Sequence, residues 1–100
     1  MPMLVPADAV HELCRRFGVE RMDLFGSAVN EGFDPLLSDV DILVCFRPEA
    51  REHGYADAFL GLHAALETLL ERPVDLLSEA SLENPHLRAA IMAERKPLFP

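Results

Sequence analysis

The stretch Asp39 to Phe46 constrains the fold of this chain more than any other. Its last five residues, Ile42-Leu43-Val44-Cys45-Phe46, are apolar at every position. A strand with one wet face alternates apolar and polar side chains, so an unbroken apolar run requires that both faces be covered. The run therefore predicts the central strand of a small sheet with helices packed against it. Arg47-Pro48 ends it, because proline cannot donate to a continuing ladder.

The rest of the chain supplies those neighbours. Pro6 and Asp8 open a helix in which Val10, Leu13, Cys14 and Phe17 recur at helical spacing, and Gly18 closes it in the left-handed conformation. Val19 to Phe25 reads as a strand that delivers Gly26-Ser27, and Asn30 to Leu37, with Gly32, Asp34 and Pro35, contains a loop. Tyr55, Phe59, Leu62, Leu66, Leu69 and Leu70 form the stripe of a long helix, stopped by Pro73 just before a third strand, Val74 to Leu77. Asn84-Pro85 is an N-cap and first-turn pair for a last helix with Leu87 and Ile91 facing inward. The order is α, β, turn, β, α, β, α, which supports an α/β class. With 100 residues, half of them hydrophobic, residues 1–100 are expected to form a single domain with one small core. A large substrate-embracing enzyme is excluded.

Charge narrows the partners. The 17 acidic residues outnumber 9 basic ones for a net charge of −8, and basic residues adjoin only at Arg15-Arg16 and Arg95-Lys96. A nucleic-acid surface needs several cations on one face, so no direct nucleic-acid substrate is expected. No stretch approaches the roughly 20 apolar residues that span a bilayer, and Met1-Pro2-Met3-Leu4 has no basic region before a long hydrophobic segment. A cytoplasmic protein with no membrane contact is the expectation. Cys14 and Cys45 lack metal-ligand spacing and read as buried free thiols, while His11, His53, His63 and His86 share no spacing for zinc.

Chemistry concentrates at three places. Asp39 and Asp41, two residues apart at the head of an apolar strand, point to the same face and can clamp a divalent cation. Gly26-Ser27, at the end of a strand, offers backbone N–H groups and a hydroxyl to a phosphate. Asp75 lies inside Val74-Asp75-Leu76-Leu77, where a carboxylate is costly to bury unless it is paired or metal-bound. Each has a plainer reading: Ser38-Asp39 as a strand-entry turn, Ser27 as an N-cap, Asp75 as a solvated strand face. Asp23 reads as an exposed strand position. Taken together the residues describe a nucleotide-phosphate site with Mg²⁺.

Ten residues separate Ser27 from Ser38, and this Gly-Ser followed by Ser-Asp-x-Asp resembles the signature of the DNA polymerase β-like nucleotidyltransferases. The stretch from Gly26 to Phe46, Val74-Asp75-Leu76-Leu77 and the ending Asn84-Pro85-His86-Leu87 to Leu98-Phe99 together resemble the minimal nucleotidyltransferase (MNT) group. The resemblance implies an α/β (α+β) fold with a small mixed sheet of three to four strands and about four helices. It implies catalytic and metal-binding roles for Asp39, Asp41 and Asp75 around two Mg²⁺ ions, or Mn²⁺, and nucleotide contacts from Gly26, Ser27 and Ser38 to ATP. Many relatives carry Arg in a G-S-x-x-R-G pattern where this chain has Asn30, which supports phosphate binding less strongly than metal binding. Two functional classes follow. One is an enzyme that transfers AMP from a nucleoside triphosphate to a hydroxyl of a partner protein, as in antitoxins paired with HEPN-type RNase toxins. The other is a catalytically weak or inactive module of the same fold that neutralises its partner by contact. A homodimer through Leu98 and Phe99 is a further expectation.

Overall fold

The computed structural model describes residues 6–26 and 39–100. Ser27, Asn30 and Ser38 therefore lie outside the described residues. Among the described residues the order is α1 (Ala7–Phe17), β1 (Val19–Phe25), β2 (Val40–Phe46), α2 (Pro48–Glu52), α3 (Tyr55–Leu70), β3 (Val74–Ser78), a 3₁₀ turn (Glu79–Ser81), α4 (Pro85–Glu94) and β4 (Lys96–Phe99). The four strands form one mixed sheet in the order β3-β2-β1-β4. The β1–β2 and β1–β4 pairs are antiparallel, and β2–β3 is parallel. This is the α+β architecture with four helices that the resemblance implied.

The apolar run behaves as its composition demands. Strand β2 is interior, and its two faces go to two different clusters. Val40, Ile42, Val44 and Phe46 pack with Met22, Leu24, Val74 and Leu76 under α1 and α3, whose Val10, Cys14, Leu62 and Leu66 complete the main core. On the other face Leu43 joins Phe25 and Ile91, so that α4 covers the second side of the sheet.

Local signals set the helix ends. Gly18 stops α1 at φ 72° while its N–H bonds the carbonyl of Cys14. Its lack of a side chain has a second use, since a Cβ there would meet Ala50 Cβ at 2.9 Å and push α2 away. Asn84 caps α4 by accepting from the backbone N–H groups of His86 and Leu87 at 2.9 and 3.3 Å. Both interactions satisfy donors that a helix start would leave orphaned.

Two expectations change, at Leu87, which is exposed on α4 while Ile91 alone of that pair turns inward, and at Cys45. Strand β4, built from Lys96, Pro97, Leu98 and Phe99, adds to the free edge of β1. Leu98 and Phe99 are thereby partly buried against the main core, and His11 of α1 holds the Leu98 carbonyl at 2.9 Å. Cys45 is half-buried rather than enclosed like Cys14. It lies on the α4 face, where its thiol donates to Glu20 Oε2 at 3.6 Å.

The two thiols should be told apart by chemistry. Burial raises Cys14 from 9.0 to about 12, and burial followed by the carboxylates of Glu79 and Glu20 also pushes Cys45 upward. Under native conditions at about pH 8 an alkylating reagent should modify Cys45 slowly and Cys14 only after unfolding, because the thiolate is the reactive form. The same shift at Cys14 has a sign for stability. The folded state keeps a proton that the unfolded chain loses, so this contribution is complete below 9.0 and is lost as pH rises toward 12. Equal native labelling of both thiols, read by peptide mass spectrometry, would contradict this placement.

Candidate active site

Topology collects the chemistry at one end of the sheet. Because β1 runs antiparallel to β2 and β3 runs parallel to β2, the C-terminal end of β1 and the N-terminal ends of β2 and β3 coincide. Gly26, Asp39, Asp41 and Asp75 all lie at that end. Phe25 pairs with Asp41 across one ladder, and Asp41 pairs with Asp75 across the other. Directly opposed residues share a face, so the Asp41 and Asp75 side chains leave the sheet on the same side, with their strands about 4.8 Å apart. That side is the one covered by α4.

Gly26 has a backbone reason to be glycine. Its φ is +63°, and a Cβ at this position would overlap Asp41 Oδ2 and come within 3.3 Å of Asp41 Cγ. The Asp41 carboxylate thus rests against the Gly26 backbone in space that any other residue would fill. Its N–H donates to Glu94 Oε1, at the end of α4, at 3.0 Å.

Among the described residues no three His, Cys, Asp or Glu side chains stand together closely enough to hold a metal ion. The structure therefore brings Asp39, Asp41 and Asp75 to one end of the sheet through strand register, without closing their side chains into a cage. Their donor chemistry, all hard carboxylate oxygen, fits Mg²⁺ or Mn²⁺ rather than zinc.

Several supporting contacts were not anticipated. Asp23 is 3% exposed rather than solvated, and Arg95 Nη1 meets its Oδ2 at 3.3 Å. A buried carboxylate needs such a partner, and this one comes from the junction of α4 and β4. The pair fixes that junction over the sheet and so sets where Glu94 sits. From α3, His63 donates to the Val74 carbonyl at 2.8 Å and Glu67 accepts from the Val74 N–H at 2.9 Å. They grip the start of β3 one residue before Asp75. Farther along the same face Glu79 is held by Arg21 and, at 3.0 Å, by Arg88 of α4. Alternation along β1 puts Arg21, Asp23 and Phe25 on one face, and the cation that reaches Asp23 comes from 72 residues away.

A further groove lies elsewhere among the described residues. It holds about 510 Å³ between α1 and α3, lined by Ala9, Glu12, Leu13, Ala64, Ala65, Thr68 and Leu69. It belongs to the helical layer on the opposite face and lacks convergent polar groups, so the acidic end of the sheet remains the better candidate for chemistry.

The α+β sheet gathers a strand-end glycine and carboxylates from two parallel strands at one end. The nucleotidyltransferase domain family matches residues 8–98, and the chain belongs to that family. It is similar to a presumed minimal nucleotidyltransferase of known structure, with 36% identity over 91% of this chain and 87% of the other and a TM-score of 0.67. The fold is shared, at 22% identity and a TM-score of 0.68, with a toxin–antitoxin complex solved with AMP-PNP, over 95% of this chain and 73% of that one. It is shared too with a complex of tri-AMPylated Shewanella oneidensis HEPN toxin and MNT antitoxin, at 22% identity and a TM-score of 0.60, over 93% of this chain and 68% of that one. No curated protein sequence matches. Among the described residues no helix is long and apolar enough to cross a membrane.

Proposed function

We propose that this protein, as a single minimal domain, transfers AMP from ATP to a hydroxyl of a partner protein in the cytoplasm, and that the partner is a HEPN-type RNase toxin. The observation that carries the reading is the register of Asp41 against Asp75 beside Gly26, at one end of one sheet face. Support for the partner comes from the shared fold with the HEPN–MNT complex, and for the nucleotide from the complex with AMP-PNP.

The residues divide the work. Asp39, just before β2, Asp41 within it and Asp75 of β3 would hold Mg²⁺. Bound there, Mg²⁺ supplies electrostatic stabilisation of the oxygens that gain charge at phosphorus. Asp75, on the outer strand of the row, is the carboxylate best placed to take the proton of the incoming hydroxyl. The Gly26 N–H, with Ser27 and Ser38 from the motif, would orient the phosphates so that pyrophosphate leaves in line. In the transfer the acceptor oxygen forms a bond to the α-phosphorus, the bond from that phosphorus to the bridging oxygen breaks, and pyrophosphate carries away the electron pair.

A second reading, the contact-only module, is favoured by Asn30 where relatives carry Arg and by side chains that do not close a cage. Binding tests the site before catalysis does. Mg·ATP should raise the melting temperature of the wild-type protein by mass action, and Asp41→Asn or Asp75→Asn should remove the rise while the apo-protein stays folded. An equal rise in wild type and both variants would place nucleotide binding elsewhere.

A further inference from the structure

The Gly26 N–H is a donor that the sheet leaves over, since the β1–β2 ladder ends at Phe25 paired with Asp41. It is taken by Glu94 Oε1 at 3.0 Å. Two fields act against that carboxylate. Glu94 is the last residue of α4, whose last turn carries no basic residue, and an anion at a helix C-terminus faces the negative end of the dipole. The Asp41 carboxylate lies against the same glycine, and like charges close together repel. A charge-assisted bond to the Gly26 N–H holds Glu94 there.

We propose that Glu94 is an internal stand-in for a phosphate oxygen: it occupies the Gly26 N–H in the free protein and is displaced when a metal-bound polyphosphate arrives. This rests on the reading of Gly26 as a phosphate-binding donor. Displacement needs no movement of α4. Arg95, the next residue, stays anchored to buried Asp23, so Glu94 leaves by side-chain rotation about a fixed backbone. Glu94 thereby sets nucleotide affinity as a competitor for a single donor, and its effect falls on the phosphates rather than on the nucleoside.

The test compares wild type, Glu94→Ala and Glu94→Gln by titration calorimetry with Mg·ATP, Mg·pyrophosphate and adenosine, and by amide exchange at Gly26. Glu94→Ala should bind Mg·ATP and Mg·pyrophosphate about tenfold more tightly, with adenosine unchanged and Glu94→Gln in between. The Gly26 amide should exchange faster in free Glu94→Ala than in free wild type, and Mg·ATP should protect it in both. If wild type binds Mg·ATP and the alanine variant binds it no more tightly, or if Gly26 exchange is the same in both free proteins, the stand-in role is wrong while the phosphate reading survives. If neither protein binds Mg·ATP or Mg·pyrophosphate, the phosphate reading of Gly26 fails and this inference fails with it.

Discussion

Asp41→Asn is expected to lower nucleotidyl transfer by about a thousandfold or more, equivalent to about 4 kcal/mol of barrier. Asp41 is the one carboxylate that meets both other elements of the site, pairing with Asp75 across the β2–β3 ladder and resting against Gly26. Asparagine keeps its shape and volume but loses the charge that a hard cation needs. The strand itself should persist, because the buried residues on either side, Val40 and Ile42, are unaffected. Initial rates with saturating Mg·ATP, beside a denaturant melt of the same sample, separate the two effects. A variant with near wild-type rate would remove Asp41 from the chemistry.

Gly26→Val should be the most damaging substitution for nucleotide binding, lowering Mg·ATP affinity by about a hundredfold or more. Two costs combine. A β-branched residue at φ +63° is strained by about 1–3 kcal/mol. Its Cβ would also overlap Asp41 Oδ2, so the carboxylate must move and the backbone N–H becomes screened from an incoming phosphate. Equilibrium unfolding measures the first cost and calorimetric titration the second. Binding within about twofold of wild type would return Gly26 to the role of a simple turn.

The parts of the fold legible in the sequence are those decided locally. Strand β2 could be read because five apolar residues in a row leave no wet face, and α4 because Asn84-Pro85 is a helix start in itself. Strand β4 could not. Lys96-Pro97-Leu98-Phe99 is short, carries a proline and has no alternation, and it becomes a strand only because β1 offers a free edge. The five-residue α2 was likewise hidden, since Pro48 reads as the end of β2 and serves also as the first residue of a helix. In the site, period-2 geometry predicts one face for Asp39 and Asp41, and Asp39 lies just before β2. The pairing of Asp41 with Asp75 is a register between distant strands, which local pattern does not specify. Asp23 was misread for the same reason: its neutralising partner, Arg95, lies 72 residues away. Glu94 gave no signal at all, because its contact depends on where α4 ends over the sheet.

The central claim is that the acidic end of this sheet moves a nucleoside monophosphate onto a protein. It is tested most directly by incubating the protein and its cognate partner with Mg²⁺ and ATP labelled either at the α-phosphate or at the γ-phosphate. The account predicts covalent label on a hydroxyl side chain of the partner from α-labelled ATP alone, lost in Asp39→Asn and Asp41→Asn although partner contact remains. No transfer from wild type, together with silencing of the partner by wild type and both Asp variants alike, would contradict it and leave a module that acts by contact.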